Sequence, residues 1–206
     1  MREVAKQQVI SELLEGSEVL RQMAFCLVDE IVTVAEHIIT ALRTGGKVMV
    51  CGNGGSAADA QHFAAELVGR FRRERPGWAA IALTVDSSVL TSLSNDYGFA
   101  QVFARQVQAL GRPGDILVAI STSGHSANVL AAVQVASGLD VRTVGLTGTG
   151  GGALAGLVDH HLAVPSANTA FIQQGHIAVL HLLCELVEER LVSDVAAQQT
   201  QDPTVR

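Results

Sequence analysis

His62 and Glu66 stand four residues apart in a stretch of helix-forming composition, Ala57 to Val68. On a helix they share one face. An imidazole and a carboxylate so placed can bind a metal ion or work as an acid/base pair. The residues before them have the form of an anion site. Val48 to Cys51 is an apolar run suited to a buried strand, and Gly52, Asn53, Gly54 and Gly55 form a glycine turn. Ser56 then reads as the N-cap of the helix. Free backbone N–H groups and the positive end of the helix dipole point into such a turn. Together the stretch can hold a sugar phosphate beside a metal or an acid/base pair. The competing account is a solvated i,i+4 pair on a surface helix.

Two further places carry chemistry. Ile116 to Ile120 is a second apolar run, and it leads into Ser121, Thr122, Ser123, Gly124, His125 and Ser126 before a helix from Ala127 to Ser137. Four hydroxyls in six residues exceed what one helix cap needs, which favours a phosphate loop over ordinary capping. Near the end, Gln173, His176 and His181 interrupt an apolar helix from Ala170 to Val192. Gln173 and His181 lie about two turns apart and about 80° round the axis, so both can reach one ligand. Periodicity does not choose between the two histidines, and either can be a hydrogen-bonded core residue. The basic cluster Arg70, Arg72, Arg73 and Arg75 can meet a phosphate, although a solvated rim is the commoner role.

The elements that must position these residues alternate. Helices fill Val4 to Leu42, with Gly16 and Ser17 as a candidate break between two of them. Strands are expected at 48–51, 79–83, 116–120, 141–146 and 159–164. Between them fall helices at 57–68, 89–93, 99–110, 127–137 and 152–158, with Asn95 to Gly98 as a polar turn. Such alternation implies a parallel sheet, and ligands bind such sheets at the strands' carboxyl ends. Both polar loops are at such ends. His160 and His161 read as surface or strand-edge residues.

Composition bounds the function. A chain of 206 residues that is 48% hydrophobic and 17% charged is a folded single domain rather than a disordered one. A net charge of −6 offers nucleic acid no general attraction. Cys26, Cys51 and Cys184 are scattered, which argues against a disulfide framework or a cysteine zinc site. No signal core and no run of about 18 uncharged apolar residues is evident, so the expected location is cytoplasmic, with no membrane partner.

The segments VMVCGNGGSAADAQHFAAELVGRF, SNDYGF, ISTSGHSANVL, LTGTGGG and IQQGHIAVLHLLCELVE, in that order, resemble the SIS (sugar isomerase) domain family. Within it they are similar to the phosphoheptose isomerases. The resemblance implies a three-layer, flavodoxin-like α/β sandwich with a five-stranded parallel sheet. It implies one SIS domain over residues 1–192, N-terminal helices included; the polar sequence from Ser193 on is itself expected to be a disordered tail, 193–206. It further implies a homotetramer with active sites at subunit interfaces. The implied reaction converts sedoheptulose 7-phosphate to D-glycero-D-manno-heptose 7-phosphate, an aldose–ketose isomerisation through an enediol(ate) in heptose biosynthesis.

Residue roles follow from the same resemblance. Asn53, Gly54, Gly55, Asn95 and Asp96 would contact substrate, and Ser121, Thr122, Ser123 and Ser126 would hold its phosphate. His62, Glu66, Gln173 and His181 match the ligands of one Zn2+ per subunit, and Glu66 and His181 also match the acid/base pair. Glu66 and Gln173 thus touch substrate as well. The resemblance selects His181 over His176. The chain departs from the family pattern at His125, Ala170, Phe171 and Gln174, all beside the site. Two other readings exist within the family: a non-catalytic regulator that binds a replication-initiator protein, and a sugar-phosphate sensor. Retention of Glu66 with His62, Gln173 and His181 favours the enzyme over the first, and the lack of an attached DNA-binding segment disfavours the second.

Overall fold

The computed structural model describes residues 1–201, with side chains through 194. Five parallel strands form one sheet: β1 (Val48–Gly52), β2 (Ala80–Ala82), β3 (Ile116–Ile120), β4 (Arg142–Thr147) and β5 (His160–Ala163). Their spatial order is β2-β1-β3-β4-β5, the doubly wound, flavodoxin-like arrangement expected. Pairing runs in register from Val48↔Ile116 to Gly52↔Ile120, so β1 and β3 end level with one another. The order reverses between these two strands, and the crevice at their carboxyl ends is where ligands of such sheets sit.

Alternation along the strands divides the interior in two. Val48, Val50, Ile116, Val118 and Ile120 face one core, and Met49, Cys51, Leu117 and Ala119 face the other. Both faces are covered, which is why these strands read as unbroken apolar runs. The first layer holds α1 (Arg2–Cys26), α2 (Val28–Arg43), α3 (Gly55–Val68) and α7 (Thr169–Gln201). The second holds α5 (Val102–Leu110) and α6 (Ala127–Ser137), with α4 (Ser87–Tyr97) on its margin through Leu90 and Leu93.

Several boundaries differ from the sequence reading. The first two helices divide at Leu27, not at Gly16. Gly16 lies inside α1 and is buried, because a side chain there would run into Gln174 and Phe171 of α7. It is a close-approach glycine rather than a breaker. Ser56 is not the N-cap: α3 starts at Gly55 and is entered through Gly54, at φ 56° and ψ −121°. Glycine alone takes that conformation cheaply, so the chain turns earlier than a serine cap would have it. Asn95 and Asp96 are not in a turn but in the last turn of α4, which Gly98 ends at φ 82°. The expected helix at 152–158 is only a 3-10 turn, Leu154–Gly156.

The last helix runs to Gln201 rather than ending at Val192, so 193–201 of the expected tail are helical backbone. Residues 202–206 lie outside the described ones. By length and composition alone the span Thr169–Asp194 is apolar enough to cross a bilayer, although Glu185 and the charges after it leave no uncharged run of the expected kind. Half of that window is buried in the fold, where Val179, Leu180, Leu183 and Val187 pack on the sheet core.

Candidate active site

Two sets of residues flank the crevice between β1 and β3. The first is at the strand ends. Asn53 follows β1 and is tied to Asn128, in the first turn of α6, by two reciprocal amide hydrogen bonds of 2.9 and 2.8 Å. Asn128 is buried, and the sequence reading did not single it out. Its only signal was its place two residues after Ser126 at a helix start. The paired amides fix the loop after β1 to the loop after β3.

That second loop carries the hydroxyls. Ser126 occupies the N-cap position of α6, yet its hydroxyl makes no capping bond. It lies 2.9 Å from the buried Ser121 hydroxyl instead. The side chain best placed to cap the helix therefore does not do so. Ser123 is exposed and accepts a bond from the His125 N–H at 3.2 Å, while Thr122 is half-buried. The loop is braced from behind by the glycine-rich segment after β4, whose Leu154 N–H donates to the Gly124 carbonyl at 3.0 Å.

The second set joins α3 to α7. His62 Nε2 lies 3.1 Å from Glu66 Oε1 and 3.2 Å from His181 Nε2. His181, and not His176, is the histidine of α7 beside His62. His176 is buried on the other side of the helix, where its Nε2–H donates to the Thr147 carbonyl at 3.1 Å. Burial pushes its pKa down to about 4, so it is a neutral core residue. His160 and His161 are also structural, the first 2.8 Å from Glu30 and the second 2.8 Å from the Thr147 hydroxyl.

Three donor atoms converging this way suit a cation. One proton can serve a contact between two imidazole nitrogens, but the carboxylate oxygen nearby adds a third lone pair to the same space. Ligands around a tetrahedral zinc at 2.0–2.1 Å are spaced about 3.3 Å apart, close to the separations found. Gln173 does not join them. Its amide is folded over Gly55, where an added Cβ would meet Nε2 at 2.4 Å. Gly55 precedes His62 by seven residues, about 10 Å along the helix. Among the described residues no group of three His, Cys, Asp or Glu meets the full arrangement of a metal centre. His62 Nε2 thus sits at ligand-like separations from Glu66 Oε1 and His181 Nε2, without the three forming a metal centre as they stand.

Asp59 lies one turn before His62 on α3, with its Oδ2 buried and lacking a partner among the described residues. Burial raises its pKa, with the neighbouring His62 acting in opposition. Phe71 packs its ring 5.6 Å from that of His181. Beyond them opens a cavity of about 500 Å³ lined by Leu20, Met23, Val28, Phe71 and Leu182. Asn95 and Asp96 are exposed, and the Asn95 side-chain amide donates to Asp96 Oδ1 at 2.9 Å. The arginine cluster divides. Arg70 pairs with Glu74 at the surface, but Arg75 is buried and neither lines a rim nor faces the crevice.

A doubly wound α/β protein with a hydroxyl-rich loop at its switch point and an imidazole–carboxylate cluster between two of its helices is the class defined so far. Residues 14–148 match the SIS domain family model. The chain is 55% identical over 186 residues to the phosphoheptose isomerase of Roseiflexus sp. (strain RS-1), covering 90% of this chain and 94% of the relative. The structure of phosphoheptose isomerase from Neisseria gonorrhoeae superposes with a TM-score of 0.86 at 45% identity, covering 90% of this chain and 99% of that one. The phosphoheptose isomerase of Francisella tularensis gives 0.87 at 41% identity, with 90% and 98% covered. The chain belongs to the SIS domain family, among the phosphoheptose isomerases.

Proposed function

We propose that this protein interconverts sedoheptulose 7-phosphate and D-glycero-D-manno-heptose 7-phosphate, with Glu66 and His181 as the acid/base pair. Moving a carbonyl from C2 to C1 requires a base to take a proton from carbon and an acid to protonate the carbonyl oxygen. The resulting enediolate charge must be stabilised. The observation that carries the reading is the approach of His62 Nε2 to both Glu66 Oε1 and His181 Nε2, at 3.1 and 3.2 Å. It sets a carboxylate and an imidazole from two helices at one point beside an anion crevice.

Zn2+, one per subunit, would be held by His62, Glu66 and His181, with Gln173 as fourth ligand once its side chain turns away from Gly55. When bound it supplies Lewis-acid polarisation of the sugar oxygens. The phosphate would lie against Ser121, Thr122, Ser123 and Ser126, with backbone donors of the α6 N-terminus. Asn53, Gly54 and Gly55 would contact the sugar.

A homotetramer with sites at subunit interfaces is supported by two observations. Val9, Ile10, Leu13, Leu14, Leu20 and Phe25 leave α1 with exposed apolar surface. Asn95 and Asp96 are exposed, joined to each other at 2.9 Å, and so are free to face a neighbouring subunit. The three free thiols, two of them buried, suit a reducing, cytoplasmic setting. Relatives named isomerases at about half identity support an enzyme over the initiator-binding or sensor alternatives. The deciding test is a coupled assay on sedoheptulose 7-phosphate with wild type, Glu66→Gln and His181→Ala. Loss of turnover in both folded variants is expected, and near-normal rates in both would remove the assignment.

A further inference from the structure

We infer that Arg75 and Glu188 are positioning residues for the Glu66–His181 pair; this rests on the function proposed above. Their side chains are 4% and 3% exposed and pair at 3.2 Å between Arg75 Nε and Glu188 Oε1. The surroundings of each show what the pair holds. Glu188, on α7, accepts the backbone N–H groups of Phe71 at 3.0 Å, Arg72 at 2.7 Å and Arg73 at 2.9 Å. A buried carboxylate that takes three consecutive N–H groups fixes the loop that leaves α3.

Arg75 binds the other side of that junction. It donates to the carbonyls of Glu66 at 2.8 Å, Leu67 at 2.8 Å, Gly69 at 2.9 Å and Pro76 at 3.1 Å. The first two belong to the last turns of α3, whose carbonyls have no partner within the helix. The guanidinium also stacks on Trp78 at 3.6 Å. The main chain of Glu66 is therefore attached, through one arginine and one glutamate, to α7.

Position on α7 completes the argument. His181 and Glu188 are seven residues apart, two turns, and fall within about 20° of the same face. One stripe of α7 thus offers an imidazole to the site and, two turns on, a carboxylate to the loop that carries Phe71 against that imidazole. The junction sets the distance between α3 and α7 at the level of the site.

The test uses Glu188→Gln, which removes one of two accepting oxygens, and Arg75→Lys, which keeps the charge but not the fork, in case the first does not fold. Glu74→Gln, in the same loop and 91% exposed, is the control. Steady-state kinetics on sedoheptulose 7-phosphate are measured with ¹⁵N spectra of the histidine rings. We expect kcat to fall tenfold or more with KM within about threefold, and the His62 and His181 ring resonances to shift, while Glu74→Gln changes neither. A folded variant whose ring resonances match wild type overturns the inference, whatever its rate. If wild type itself does not turn over the sugar, the proposed function fails and the ring spectra alone decide the positioning role.

Discussion

The strand-end loops and the α3–α7 cluster are built on different plans. At the strand ends the parts are short and local: a glycine turn after β1, a run of hydroxyls after β3, and the amide pair Asn53–Asn128 binding one to the other. At the helices the parts are long side chains from positions 119 residues apart that meet at 3.2 Å. The first region supplies a surface of backbone donors and hydroxyls suited to hold an anion. The second supplies titratable groups suited to move protons. Damage to the first should therefore appear in binding and damage to the second in turnover.

The sharpest break is at the helices. Glu66→Gln or His181→Ala should lower kcat about 10³-fold, within the range for general acid–base groups. KM should move little and the circular dichroism spectrum should stay as in wild type. A large KM rise at unchanged kcat would make this end a second binding region and erase the contrast.

The next effect concerns His176, which ties α7 to the carbonyl ending β4 behind the hydroxyl loop. Burial lowers its folded pKa to about 4, against about 6.5 for an unfolded chain. Between those values the unfolded state binds the extra proton, so stability falls as pH drops below 6.5. By pH 5 the loss is about 2 kcal/mol. Urea unfolding at pH 7 and pH 5 should show it in wild type. His176→Gln, which keeps a donor for Thr147, should remove most of the difference. An equal pH response in both proteins would show that the imidazole is not the titrating group.

Smaller still is the expected effect at the hydroxyls. Ser121→Ala removes one partner of the Ser121–Ser126 contact and should raise KM about tenfold, the value of roughly one hydrogen bond to an anion. Inorganic phosphate should weaken as a competitive inhibitor by a similar factor. A fall in kcat at constant KM would place this serine with the proton-moving groups.

The same contrast explains what could be read from the chain alone. Short apolar runs gave all five strands to within a residue or so, most cleanly β1 and β3, whose every residue is buried because parallel strands covered on both faces need continuous apolar side chains. The glycine turn and the Ser/Thr loop were legible for the same reason, being contiguous. Gly16 was misread since its cause is Gln174 and Phe171, far along the chain. The choice between His176 and His181 rested on family resemblance until the fold set one against His62 and the other against Thr147. Arg75 looked like part of a basic rim because its partner lies 113 residues on, in an otherwise apolar helix. Asn128 gave no signal beyond a polar residue in a first helical turn.

Gln173 is where the two regions can be told apart most finely. In the structure its amide belongs to the strand end, folded over Gly55 at the start of α3. As a fourth zinc ligand it would belong to the helices. Gln173→Ala separates the two. If the amide is a ligand, zinc affinity measured against a competing chelator should drop about tenfold, with activity restored by excess zinc. If it serves only the strand end, zinc affinity should equal wild type and KM should rise a few-fold, since the sugar loses one amide contact. We expect the first result, because the proposed set of His62, Glu66 and His181 lacks a fourth member and Gln173 is the one the family resemblance supplies.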